Sequence, residues 1–204
     1  MAINDNGTVD NWCSEEDLKS SSHCSYRVAD IIKPYFKKIK ECAHWGELCI
    51  ASGYKHRFID DVTPIRAQGP NFITADGIAF VIKASADVET GRWCLADTNS
   101  IEGSYEIGSG YRQSGACGAI WVDINGMSPP NTYDKDLFKF RIFRNGVAPN
   151  GLPADKVWVN EFESQCLGKH YYNGGGCAGW VVMNGNLDYL HCDDLSWDGK
   201  HKCK

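Results

Sequence analysis

The stretch GACGAIWVDINGMSPPNTYDKDLFKFRIFRNGVAPNGL, residues 115–152, decides how this chain is read. Residues 119–124 are a run of β-formers. Leu137, Lys139, Arg141 and Phe143 alternate with Phe138, Phe140 and Ile142, so both segments fit half-buried strands. Between them, the loop at 125–136 has Gly126 for tight backbone geometry and Pro129-Pro130 to hold it extended. Asp123, Asn125, Asn131, Asp134 and Asp136 supply hard oxygen ligands there, and a calcium ion would offset the repulsion between carboxylates held in one loop. The pattern departs from an EF-hand, whose glycine is the sixth residue: Gly126 is the fourth counting from Asp123, and two prolines follow. A second reading stays open, in which Asp123 and Asn125 make side-chain to backbone turn bonds and Asp134 and Asp136 are solvated.

Working outward, the period-two pattern begins near Ile73. Residues 77–84 read as a strand, 89–91 as a turn and 92–96 as a return strand. Residues 101–114, with Gly103, Gly108 and Gly110, read as a loop. Residues 178–183 and 186–190 flank Asn184-Gly185, a strong hairpin signal because both central residues tolerate positive φ. Asn173 to Gly176 is expected to be a mobile loop. Upstream, residues 10–24 read as a polar, disulfide-pinned loop. Val28, Ile31, Ile32, Tyr35, Phe36 and Ile39 recur at spacings of three and four, the apolar stripe of an amphipathic helix. Pro34 interrupts it, so a kink or two short helices are expected near Lys33. The cluster Lys33, Lys37, Lys38 and Lys40 reads as that helix's solvated face. The fold class is therefore α+β, one domain over residues 1–204, with a helix packed on an antiparallel sheet. Residues 13–70 form a helical and irregular, insertion-like region, and 71–204 the sheet region.

The chain has 204 residues, 43% of them hydrophobic, enough for one sizeable core. Its net charge of −5 leaves no basic field to draw it to nucleic acid or anionic lipid. Ten cysteines, Cys13, Cys24, Cys42, Cys49, Cys94, Cys117, Cys166, Cys177, Cys192 and Cys203, include no Cys-x-x-Cys pair, which favours disulfides over zinc. Spacing does not determine their connectivity; about 945 pairings exist. Sequential pairing is the working expectation: Cys13 with Cys24, Cys42 with Cys49, Cys94 with Cys117, Cys166 with Cys177 and Cys192 with Cys203. An oxidising compartment follows more firmly than the pairing.

The blocks ITADGIAFVI (73–82), IWVDINGMSPPNTYDKDLFKFRI (120–142) and NGVAPNG (145–151) together resemble the globular head of type IV pilin-like proteins, including minor pilins and the pseudopilins of type II secretion. The likeness covers residues 2–12 and 71–203 and is most specific over 76–151. It implies a structural subunit of a pilus-like or secretion filament, acting in assembly, surface display or adhesion. Its implied partners are other pilin-like subunits, the inner-membrane assembly machinery and a leader peptidase. Residues 1–12 would then be the exit from an amino-terminal apolar helix that has been trimmed away and that alone would engage the membrane. Some pseudopilins carry calcium in a loop between sheet strands, with ligands that do not map cleanly onto these positions. The alternative is a secreted carbohydrate-binding or adhesive module without a filament role, its ligand platform formed by tryptophans such as Trp45 and Trp197, with surface glycans as partners. Six histidines form no HExxH spacing, and the carboxylate pairs Asp60-Asp61, Glu161 and Glu163, and Asp193-Asp194 read as solvated groups, so no catalytic residues are assigned.

Overall fold

A computed structural model describes residues 12–14, 16–17, 21–42, 49–58, 62–63, 70–84, 86–87, 92–93, 104–107, 111–114, 117–143, 146–153, 162–168 and 175–203. The expected return strand beyond Trp93, Trp45 and Cys94 lie outside them.

Among the described residues, one α-helix, α1 (Ser21–Ile32), precedes the sheet. It starts within the serine run read as loop, and Cys24, Val28 and Ala29 form its fully buried stripe. Proline interrupts it where expected, but as a stop and not as a kink or a pair of short helices. Pro34 lacks an amide proton and disfavours helical geometry at Lys33, so the α-helix gives way to a single 3-10 turn, Lys33–Tyr35. The chain does not resume as a helix: strand β1 (Lys38–Cys42) follows, which takes Ile39 off the predicted stripe. Lys33 is not on a solvated face either. Only 8% exposed, it reaches both Asp30 and Glu41 at 3.2 Å, the paired arrangement a buried ammonium requires.

The remaining strands are β2 (Tyr54–Lys55), β3 (Val62–Thr63), β4 (Asn71–Thr74), β5 (Ala79–Ala84), β6 (Ala86–Asp87), β7 (Arg92–Trp93), β8 (Ser104–Ile107), β9 (Tyr111–Ser114), β10 (Gly118–Asp123), β11 (Leu137–Phe143) and β12 (Gly146–Pro149). Five of them join β1 in an antiparallel sheet in the order β1-β4-β5-β10-β11-β12. The pairs β2–β3, β6–β7 and β8–β9 stand as small separate ribbons. The β8–β9 ribbon occupies the segment read as a glycine loop, its polar strands paired from Ser104 opposite Ser114 to Ile107 opposite Tyr111.

Register in the main sheet divides its residues cleanly. Ile120 lies between Ile82 and Phe140, and Trp121 between Val81 and Lys139. Because side chains alternate along a strand, the first row and its neighbours Phe72 and Ile142 face α1, and Trp12 joins them. Val81, Ala79 and Leu137 face the opposite way, against Ile50 and Tyr54. Gly118 is required where β10 meets β5, since a Cβ there would lie 2.5 Å from the Lys83 carbonyl oxygen.

A third cluster closes the carboxyl-terminal region. A π-helical turn (Phe162–Cys166), helix α2 (Ala178–Asn184) and a 3-10 turn (Asp188–Leu190) gather Phe162, Trp180, Tyr189 and Leu195, with Phe162 stacked on Trp180 at 4.4 Å. The predicted hairpin is thus corrected. Residues 178–184 are helical, and Gly185 terminates them in the left-handed conformation (φ 64°), its amide donating to the Val181 carbonyl.

Four disulfides join Cys13 to Cys24, Cys42 to Cys49, Cys166 to Cys177 and Cys192 to Cys203, in agreement with the sequential expectation. Cys117 is also disulfide-bonded.

Candidate functional site

The loop between β10 and β11 was the leading candidate for chemistry. Its five oxygen-bearing residues do not converge. Asp123, fully buried, accepts hydrogen bonds from the Tyr54 hydroxyl and, at 3.0 Å, from the Asn125 amide. Asp136 accepts from the amides of Asn131 and Thr132, both at 2.6 Å, and so closes the loop on itself. Asn131 and Asp134 have positive φ (50° and 59°), and the Pro129–Pro130 bond is cis. Asp134 turns away from the other carboxylates. It accepts from the amides of Gly175 and Cys177, and its own carbonyl accepts from the Tyr189 hydroxyl at 2.9 Å. Asp134 and Asp136 are therefore buried rather than solvated.

Burial governs the titration of these groups. It raises Asp123 from its ordinary value, against the lowering effect of its Tyr54 and Asn125 partners. It raises Asp134 from 3.8 to about 6, opposed by the Cys177 and Gly175 amides and by nearby Arg57. Tyr54 is also pushed up, by burial and by the adjacent Asp123 carboxylate.

The five residues have separate protein partners in place of a shared one. The three carboxylates already face amide and hydroxyl protons, which a cation would have to displace. The buried oxygens in this loop without a donor are the side-chain amides of Asn125 and Asn131. Among the described residues, no group of three or more histidine, cysteine, aspartate or glutamate side chains is placed to hold a metal. The carboxylates act as internal pins that join the loop to Tyr54, to its own backbone and to the carboxyl-terminal cluster.

The same pinning corrects the expectation of a mobile loop for Gly175 and Gly176, while residues 173 and 174 lie outside the described residues. Gly175 and Gly176 are buried. Gly175 donates to Asp134 and accepts from Asn150. Trp197 is not an exposed platform; its ring packs against Phe162 (5.3 Å) and Trp180 (5.1 Å) inside the third cluster.

Two surface features remain. The first is an apolar groove of about 280 Å³ on the α1 side of the sheet, floored by Val122, Phe138 and Phe140 and walled by Val181, Val182 and Leu187. Ile124, after β10, and Val182 and Met183, on α2, are 49%, 58% and 65% exposed on and beside it, so apolar surface where the sheet meets α2 is left partly uncovered. Sequence patterning marked these residues as apolar but not as exposed. The second feature is a pocket beside the Cys192–Cys203 disulfide, lined by Arg57, Phe58, Tyr189, His191 and Asp193. No motif pointed to it, because its residues come from segments far apart in the chain.

No family model, curated protein or solved structure matches this chain. The functional reading therefore rests on the molecule itself. Its disulfides indicate an oxidising environment, extracellular or periplasmic. Among the described residues, no helix is long and apolar enough to cross a membrane.

Proposed function

We propose that this chain is the head domain of a pilin-like structural subunit, a minor or tip component of a type IV pilus-like or type II secretion filament, working in assembly and surface display. The observation that carries the reading is the apolar groove between the sheet and α2. An exported domain held by several disulfides does not need a solvent-facing row of Ile124, Val182 and Met183 for its own stability, and exposed apolar surface of this kind is used for contact with other subunits. The helix laid on an antiparallel sheet, the sequence blocks at 73–82, 120–142 and 145–151, and the pinned loops agree with a rigid display head. Its partners would be other pilin-like subunits and the inner-membrane assembly machinery.

The native gene upstream of Ala2 provides the test. A filament subunit requires a leader followed by a retained, long apolar helix in frame with this head. An ordinary cleavable signal peptide with no retained helix would sink the proposal and leave the alternative, a secreted carbohydrate-binding or adhesive module, which the pocket at Arg57 and Phe58 favours.

A further inference from the structure

The pocket beside the Cys192–Cys203 disulfide has a volume of about 390 Å³, within the range of small-molecule sites. Its inner wall is preorganised. The Arg57 guanidinium donates to the Cys166 carbonyl at 2.8 Å and the Tyr189 carbonyl at 2.7 Å, and lies over the rings of Phe58 (4.8 Å) and Tyr189 (5.1 Å). These contacts immobilise a side chain that otherwise loses much rotamer freedom on binding a ligand. A guanidinium has five N–H donors; the two carbonyls and the Cys177 Sγ, at 3.6 Å, take three of them. At the rim, Phe58 packs one face of its ring on Gly168 and is still 44% exposed, and His191 and Asp193 are exposed. Leu167 and Tyr189, both buried, supply apolar floor.

The charge balance narrows what can enter. Arg57 sits in the field of Asp134, and Asp193 adds a second carboxylate at the mouth, so an anion gains little net attraction there. A wholly apolar ligand would strand the polar groups without partners. Donors, an acceptor carboxylate and part of an aromatic ring around one concavity suit a molecule with hydroxyls at its edge and C–H groups on its face.

We propose that this pocket binds a neutral sugar ring, with Phe58 against its C–H face and Asp193 and His191 on its hydroxyls. The site gives the head a glycan-binding function beyond its role as a subunit. It is independent of the filament reading: the upstream gene can fail that reading while the pocket still binds, and the reverse.

The test uses the folded 204-residue chain and saturation-transfer NMR with a panel of neutral mono- and disaccharides, hexoses and N-acetylhexosamines, alongside sialic acid. At least one neutral sugar is expected to show transfer. Its affinity should fall about tenfold or more in Phe58→Ala and in Asp193→Ala, and stay unchanged in Val182→Asp, which alters the groove instead. Phe58 and Asp193 are exposed, so thermal melts should show both variants folded; His191→Ala, also on the rim, should weaken binding in the same direction. Absence of transfer from every neutral sugar, tighter binding of sialic acid than of any neutral sugar, or binding that survives both substitutions would overturn the proposal.

Discussion

Asp134 ties together three segments that are distant in the chain. Its carboxylate holds the Gly175 and Cys177 amides, its carbonyl holds the Tyr189 hydroxyl, and Arg57 lies near enough to favour its charge. Burial outweighs these partners and raises it from 3.8 to about 6. The folded state therefore binds this proton more tightly than the unfolded chain, and the stability contributed through Asp134 is fullest below pH 3.8 and declines as pH rises through about 6. Asp134→Asn keeps the shape but turns an acceptor into a donor facing an amide. We expect it to cost about 1 to 3 kcal/mol. Because the variant lacks the titration, the difference between native protein and variant in urea melts should be largest at the acid end and narrow as pH rises through about 6. A difference that widens over that range would contradict the assignment. Sequence reading identified Asp134 as notable for its carboxylate neighbours. Its actual partners are backbone amides some forty residues downstream, which no local pattern marks.

At the scale of elements, α2 shows how one signal serves two structures. Asn184-Gly185 suits a hairpin because both residues tolerate positive φ, and a helix carboxyl terminus needs the same property at one position. Tertiary packing settles the choice. Trp180 is buried against Phe162, its indole N–H donates to Asn186 at 2.8 Å, and Gly179 donates to the Asn150 carbonyl at 2.8 Å. A Cβ on Gly179 would come within 2.9 Å of the Gly151 backbone, so this glycine lets the helix sit directly on the turn after β12. Nothing crowds Gly185, and its role is conformational alone. Gly185→Ala should therefore destabilise the protein by about 1 kcal/mol through left-handed strain, with Gly185→Asn losing less. Urea midpoints with an unchanged slope would measure it. A neutral alanine would show that the cap is not needed. The strands β5, β10 and β11 were legible because alternation over six or seven residues has one interpretation. The β8–β9 ribbon was not, since its polar residues carry no period and cross-strand pairing alone defines it.

For the whole molecule, a resident ion would appear in global stability by linkage. A site filled at about a hundred times its Kd adds about 2.7 kcal/mol, on the order of 5 to 10 °C in a domain of this size. With the loop carboxylates held by amide and hydroxyl donors, the melting midpoint should be the same within about 1 °C in millimolar calcium and in excess chelator. A rise of several degrees with calcium would restore the loop as a metal site. The amino-acid sequence by itself determined the α+β class, the strands either side of 124–136, the helix interruption at Pro34, and an oxidising environment. Each of these follows from short-range periodicity, from backbone restriction or from composition. Tertiary structure alone decided that Asp123, Asp134 and Asp136 are buried pins, that residues 178–184 are helical, that Trp197 belongs to a core, and that Arg57, Phe58, His191 and Asp193 share a pocket. Burial and hydrogen-bond partnership across long stretches of chain depend on which surfaces meet, and neither periodicity nor composition specifies that.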